Sequence, residues 1–150
     1  MQRHRFRSRP RGATIIEFAV VCPLVVFILF ATIVGGLGVF RYQQVASLAR
    51  QGARYASVHG AQYAKEKNLA AATATDIATN IVQANAAALK PEYLTCTVTW
   101  NASNAPLSTT NYEDPTGNTV TVKVTYKWFP EVYLVGPITL TSTSTTQMLY

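Results

Sequence analysis

The sequence predicts a membrane-anchored α+β protein: a long N-terminal transmembrane helix, a second alanine-rich helix and a small C-terminal antiparallel sheet of about three strands. Three observations lead to this prediction. No charged residue occurs from Phe18 to Phe40, apolar residues then recur with a helical period, and after Pro91 the period changes to two. We expect a basic cytoplasmic leader over residues 1–12, a helix over 13–58 that spans the membrane over about 18–40, and an extracytoplasmic domain over 59–150.

The uncharged run is long enough to cross a bilayer. As a helix at ~1.5 Å per residue it would reach about 35 Å, against a hydrocarbon core of about 30 Å. A secretory signal has an apolar region of only about 7–15 residues. Gly36 and Gly38 resemble the small-residue exit of such a signal, but the length favours a retained anchor. A core helix of a soluble protein rarely runs this far without a charge.

The basic character of the chain is concentrated in its first residues. Five of the 13 basic residues precede Gly12, which leaves eight against seven acidic residues in the rest of a chain whose net charge is +6. These five are Arg3, Arg5, Arg7, Arg9 and Arg11. Positive charge before an apolar span holds that end in the cytoplasm. A basic arm that binds nucleic acid is disfavoured because the span follows so closely.

Pro23 and three glycines interrupt the predicted long helix. Proline removes the hydrogen bond to the carbonyl of Ala19, so we expect a kink or local unwinding there. Gly35, Gly36 and Gly38 each cost about 1 kcal/mol relative to alanine in a soluble helix. They are consistent either with close packing against a neighbouring helix or with the simple tolerance of glycine in membrane helices.

The spacing of apolar residues predicts the elements in the remainder of the chain. Small and apolar residues recur at three- and four-residue steps, which predicts that the first helix continues to about Val58 and stops at Gly60. A weakly apolar stripe of alanines predicts a second helix from about Ala64 to Leu89. Three segments then alternate apolar and threonine-rich positions, which predicts antiparallel strands that each bury one face. Their inward positions are Leu94, Cys96, Val98 and Trp100; Val120, Val122, Val124, Tyr126 and Trp128; and Ile138, Leu140, Ser142, Ser144 and Thr146.

The chain lacks the motifs of an enzyme or a metalloprotein. No CxxC pair, metal-ligand spacing, suitably placed base or glycine-rich phosphate loop occurs, so we expect no catalysis, no cofactor, no metal and no small-molecule substrate. Cys22 and Cys96 are expected to stay unpaired, because one would lie in the bilayer and the other in a distant strand. The apolar connector Val132 to Val135 is either a contact surface or part of the core.

Glu17 is the position that needs an explanation. An ionised carboxylate at the centre of a span costs about 2.5–3.5 kcal/mol, and less near its ends. One interpretation places Glu17 at the membrane edge, neutralised by Arg9 or Arg11. The other has the chain cleaved after Gly12, so that Ala13 becomes a positively charged amino terminus one helical turn away. Such a terminus can pair with Glu17 of its own chain or of a neighbour in a staggered stack.

These residues carry a resemblance to a known family. A basic leader followed by "GATIIEF" resembles the processing site of type IV pilins and pseudopilins. More narrowly, "IIEFAVVCPLVVFILF" and then "QQVASLARQGARYAS" are similar to the TadE-like family of pseudopilins in the tight-adherence (Flp) pilus system. The resemblance is strong over Gly12 to Ser57 and looser afterwards, where the tail "TSTSTTQMLY" fits the family. Cys22 and the long threonine-rich loop depart from the family pattern.

The resemblance implies a minor pilin with a pilin-like fold. It implies that an aspartic prepilin peptidase cuts between Gly12 and Ala13 and that Ala13 can be N-methylated. It implies that Glu17 neutralises a terminus during assembly and that Phe18 and the following aliphatic residues pack in membrane and filament. Expected partners are the peptidase, other pilin or pseudopilin subunits, the bacterial inner membrane and the pilus assembly platform, without nucleic acid. The alternative function is a signal-anchored envelope protein with an extracytoplasmic binding domain.

Overall fold

The computed structural model describes residues 11–101, 104, 118–130 and 136–148. The chain divides after Gly36 into two compact units. The first unit is described through residues 11–36, which are helical throughout. In the second unit, Leu37–Tyr150, the described residues form the remaining helical segments and one sheet. Residues 1–10 of the predicted leader, most of the loop between the first two strands, and the connector Val132 to Val135 lie outside the described residues.

The predicted long helix is present. Helix α1 covers Arg11–Val58 and includes Pro23. Its apolar composition and its few breaking residues favour the helix, and Gly60, just beyond its end, is the extended cap residue of the next helix. An α+β architecture with one helix that is long and apolar enough to cross a membrane therefore agrees with the fold class expected from the sequence.

The prediction of one continuous second helix is wrong. Helix α2 covers only Ala61–Lys67 and ends at Asn68, which adopts a left-handed conformation with φ of 53°. The chain becomes helical again at α3, Ala74–Asp76, which continues into a π-helix over Ile77–Gln83. The second start is fixed by a capping box in which Thr73 and Asp76 bond reciprocally. The alanine stripe gave no sign of this interruption because alanine is compatible with both segments.

Three antiparallel strands form the sheet in the order β1-β2-β3. Strand β1 is Leu94–Trp100, β2 is Thr119–Trp128 and β3 is Ile138–Gln147. A 3-10 turn over Pro91–Tyr93 leads into β1. The register pairs Val122 with Val98 on one side and with Ser144 on the other.

The two faces of the sheet differ as the alternation predicts. All five predicted inward positions of β2 are buried, whereas the inward positions of β3 are only half-buried or exposed. The opposite face is rich in threonine, and Thr121 and Thr145 form a cross-strand hydroxyl pair at 2.9 Å. Most of the apolar burial of the sheet therefore comes from its central strand.

The core of the second unit lies between the sheet and the last turns of α1. Small and apolar residues of α1 are buried there, including Val45, Leu48, Ala49 and Ala53. Ile77 and Val82 of the π-helix are fully buried as well. Side chains this small allow the backbones to approach closely, which makes the fit of individual glycines important.

Candidate functional site: the N-terminal segment of the long helix

Gly12 and Ala13, the predicted processing site, lie in the first turn of α1. Gly12 is exposed, and a Cβ at this position would meet no atom within 4 Å among the described residues. The local structure therefore leaves Gly12 accessible to another protein. Because a protease binds its substrate in an extended conformation, the first turn would have to unwind for cleavage, and frayed helix ends do so most easily.

Glu17 lies four residues beyond Ala13 on the same helix and is exposed. This spacing corresponds to about 6 Å along the axis and places the two positions on neighbouring turns. No hydrogen bond or ion pair joins Glu17 to another residue in the described part of the chain. Arg9 lies outside that part, and the side chain of Arg11 is not described. The carboxylate is thus presented outward, where a cation of the same or another chain can reach it.

Apolar side chains surround Glu17 along the helix and are exposed almost throughout. Ile15 and Phe18 are each 70% exposed, and the pattern continues to Phe40. α1 is long and apolar enough to cross a membrane, with none of its most apolar stretch buried. An exposed apolar surface of this extent requires lipid or protein around it. The composition and exposure of the helix support membrane anchoring.

Pro23 is accommodated without ending the helix, since α1 continues through it. Because proline has no backbone N–H, the carbonyl of Ala19 lies within a helical segment but receives no hydrogen bond from position 23. Thr32 supports the helix further along by donating its hydroxyl to the carbonyl of Ile28 at 2.8 Å. In lipid, such internal satisfaction of polar groups is favoured.

The three glycines of the outer span differ in their surroundings. A Cβ at Gly35 or Gly36 would meet nothing within 4 Å in the described residues. A Cβ at Gly38 would lie 2.8 Å from Cζ3 and 3.2 Å from Cη2 of Trp128. Gly38 is therefore the position at which the indole ring of Trp128, from β2, packs directly against α1. Sequence reasoning placed Trp128 on the inward face of its strand but did not identify this contact.

A second glycine contact lies deeper in the same core. A Cβ at Gly52 would lie 3.1 Å from Cγ1 of Val122 and 3.4 Å from Cγ2 of Val82. Gly52 therefore permits the sheet and the π-helix to approach α1 together. Helical spacing alone could not show which elements meet at Gly52.

Elsewhere the described residues contain no group of three or more side chains suited to hold a metal ion.

Asp76 is a capping residue: hydrogen bonds from the Thr73 hydroxyl and backbone N–H lower the pKa of its carboxyl. Burial raises the pKa of the Cys96 thiol, which keeps it protonated. Both cysteines are free. His59 stacks on Tyr55, with ring centroids 4.0 Å apart.

Comparison with known proteins identifies the N-terminal segment. Residues 12–54 match the model of the TadE-like protein family. No curated protein and no solved structure matched the chain. The match covers less than a third of the 150-residue chain. The resemblance inferred from the sequence is thus confirmed over residues 12–54, from the predicted cleavage position to the buried part of α1: this segment is similar to the TadE-like protein family.

Proposed function

We propose that the protein is a minor pilin or pseudopilin that serves as a structural or assembly component of a tight-adherence (Flp) pilus. In this proposal prepilin peptidase cuts between Gly12 and Ala13 at the cytoplasmic face of the bacterial inner membrane. The remaining single-pass protein then has its C-terminal domain outside and joins other pilin subunits on the assembly platform. The observation that carries the proposal is Glu17, an outward-facing carboxylate near the start of an exposed apolar helix.

Cleavage would change the electrostatics around Glu17. It would remove the five leader arginines and create an ammonium group at Ala13. Two unit charges 4 Å apart attract by about 4 kcal/mol at an effective dielectric constant near 20, before the cost of desolvation. That attraction is comparable to the cost of about 2.5–3.5 kcal/mol for a carboxylate in the membrane centre. A pair between neighbouring subunits would therefore favour one axial register.

The apolar residues from Phe18 onward would supply the packing in this assembly. In the membrane they contact lipid, and in a filament they contact the helices of neighbouring subunits. Contacts of this kind are heterologous, so that each subunit offers one surface and receives another, and the assembly remains open-ended. Gly35 and Gly36, with open space around them, would allow a neighbouring helix to approach closely.

The first experiment determines the mature amino terminus by mass spectrometry in cells with and without prepilin peptidase. We expect a chain that begins at Ala13 only when the peptidase is present. An uncut chain in cells that possess the peptidase would contradict the proposal. Methylation of Ala13 would appear in the same spectrum as an added methyl mass.

The second experiment separates processing from assembly. We expect Glu17→Gln to be cleaved and to reach normal membrane levels but to be lost from purified pili, because the neutral amide cannot pair with the ammonium group. Glu92→Gln, which removes an exposed carboxylate from the second unit, is the control and should assemble normally. If Glu17→Gln assembles as well as the control, charge pairing is not the role of Glu17. That result would favour the signal-anchored binding protein, which needs only an anchor.

A further inference from the structure

The backbone hydrogen bonds of the sheet show which residues face its two free edges. Just beyond the end of β3, Met148 donates its N–H to the carbonyl of Asn118 at 2.7 Å. Bonded and non-bonded pairs alternate along an antiparallel ladder, so the even-numbered residues of β3 bond to β2. The odd-numbered residues direct their N–H and C=O groups to the free edge. The bond of 2.9 Å from Asn101 to Thr119 shows in the same way that the even-numbered residues of β1 face its free edge.

The two free edges differ in exposure. On β1 the free-edge positions include Leu94 and Val98, which are buried, and the strand contacts α3 and the π-helix. Within the described residues β3 is the other edge strand of the sheet. On β3 every free-edge position is exposed: Thr139, Thr141, Thr143, Thr145 and Gln147. An exposed edge of this kind can accept a further strand by backbone hydrogen bonding.

Strand β3 lacks the features that usually prevent such pairing. Edge strands are commonly protected by charged side chains, by proline or by a bulge. β3 has ten residues, none of them charged and none of them proline, and its register with β2 is continuous. Pro137, directly before the strand, has no backbone N–H and marks one end of the edge. A partner strand can therefore pair along the whole of Ile138–Gln147.

The sequence of β3 matches a second copy of itself. When two copies pair antiparallel about Thr143, odd-numbered residues meet odd-numbered residues, so the free-edge groups of both strands are satisfied. Thr141 then lies opposite Thr145 of the second copy. Threonine pairs are favoured across antiparallel strands, and the chain already contains one, between Thr121 and Thr145 at 2.9 Å. Because β3 carries no charge, no like charges oppose this pairing.

The opposite face of the strand supports the same register. Ile138, which is 37% exposed, would lie opposite Met148 of the second copy. The two-fold symmetry repeats this apolar contact at the other end of the pair. A pair centred two residues earlier, on Thr141, would place Pro137 at a bonded position, where it cannot donate.

We propose that β3 is a self-association edge: two copies of the chain pair their β3 strands antiparallel about Thr143 and join their three-stranded sheets into one. About ten backbone hydrogen bonds connect the two copies. Association stops at a dimer, because the contact is isologous and the free-edge positions of β1 include buried residues. The inference rests neither on cleavage after Gly12 nor on the pairing of Glu17.

Cross-linking of the full chain in detergent micelles tests the edge, with both native cysteines replaced by alanine. Thr143→Cys and Thr97→Cys are matched, because both residues are exposed and both pair with Lys123, from opposite sides of β2. We expect mild oxidation to join Thr143→Cys chains into disulfide dimers and to leave Thr97→Cys chains monomeric. Equal cross-linking of the two variants would overturn the proposal.

A mixture of two variants tests the register. Thr141→Cys chains should cross-link to Thr145→Cys chains faster than either variant cross-links to itself, because only the mixed pair lies directly opposite. Equal rates for mixed and self cross-links would contradict pairing about Thr143.

Native mass spectrometry of the full chain over a range of concentrations measures the dimer without a cross-link. Thr143→Glu and Thr97→Glu each place a carboxylate opposite Lys123, so their effects within one chain are comparable. Only Thr143→Glu brings like charges together across the two-fold axis. It should weaken dimerisation about fivefold, and added salt should recover part of the loss. Thr97→Glu should dimerise like the unsubstituted chain.

Thr143→Pro gives a stronger block. It removes an N–H that bonds nothing in the ladder of its own chain, so we expect an unchanged melting temperature and dimerisation weakened at least about tenfold.

The remaining outcomes each decide the matter. A chain that is monomeric at every concentration measured, a dimer that Thr143→Pro leaves intact, or oligomers larger than a dimer would overturn the proposal. Hydrogen exchange that finds the amides of the odd-numbered β3 residues protected in the monomer would assign the edge to another segment of the same chain, and would overturn it too. An uncut chain, or normal assembly by Glu17→Gln, bears on the pilin proposal alone.

Discussion

Substitution of Gly38 by alanine should weaken the attachment of β2 to α1. The new Cβ would lie 2.8 Å from Cζ3 of Trp128, a separation at which one of the two groups must move. Trp128 is only 4% exposed, so its ring has little room to withdraw. Overpacking of this kind costs about 1–3 kcal/mol. Alanine also gains about 1 kcal/mol over glycine in helix propensity, which gives a net destabilisation of about 0–2 kcal/mol.

Gly36→Ala is the matched control because it makes the same change in helix propensity without the contact between the new Cβ and Trp128. Gly36 is two residues away in the same helix, and a Cβ there meets no described atom within 4 Å. Both variants gain the same propensity, so the difference between them should equal the overpacking cost. That difference of about 1–3 kcal/mol corresponds to about a 5- to 150-fold change in an opening equilibrium.

Hydrogen exchange measured by mass spectrometry on the full chain in detergent provides the assay, since it reports the free energy of local opening. Peptides from β2 should exchange faster in Gly38→Ala than in Gly36→Ala, while peptides from the first unit should not differ. Trp128→Phe in the Gly38→Ala background shortens the ring and should remove much of the penalty. Equal β2 exchange in the two alanine variants would refute the packing argument.

The remaining predictions concern the core and one cap. Gly52→Ala should change stability little, because the gain in helix propensity of about 1 kcal/mol offsets the close contact of the new Cβ, 3.1 Å from Cγ1 of Val122. Gly52→Leu should destabilise the fold by at least about 1–3 kcal/mol. Thermal unfolding followed by circular dichroism compares the two variants. The pKa of Asp76 is lowered in the folded chain by bonds from Thr73, so its stabilising contribution is present above the ordinary value of 3.8 and is lost as pH falls through the folded pKa. Asp76→Asn should therefore be less stable than the unsubstituted protein at neutral pH, and the difference in melting temperature should shrink in acid; a constant difference would contradict this account.

Much of the architecture could be predicted because the signals are local. A run without charge from Phe18 to Phe40 specifies a long apolar helix, and alternation places Val120, Val122 and Val124 on one face of a strand. The break at Asn68 escaped prediction for a physical reason. Left-handed geometry at a single asparagine is permitted but not required by its sequence context, and the alanines that follow at 70–72 suit either outcome.

Only part of the candidate site could be predicted, because local sequence signals do not reveal tertiary contacts. Glu17 stands out in sequence because an ionisable residue beside an apolar run is costly. The contact between Gly38 and Trp128 joins residues 90 positions apart, which no local period can reveal. A cavity lined by Arg41, Lys90 and Phe129 likewise draws its walls from three separate segments of the chain. Sites built by tertiary contact need the fold before they can be recognised.

The carboxyl-terminal part of α1 belongs to the core of the second unit. The buried faces of Val45, Leu48 and Ala53 belong to the same helix that carries the apolar span, yet they form one side of the core of the second unit. Strand β3 contributes mainly serine and threonine to that side of the sheet, so the buried residues of β2 have their apolar neighbours in β1 and in the helices. A fragment that began after Val58 would lack the helix surface that faces Val122. The smallest fragment with a complete core therefore begins near Leu37, where the second unit begins, and retains Gly38 for the indole of Trp128.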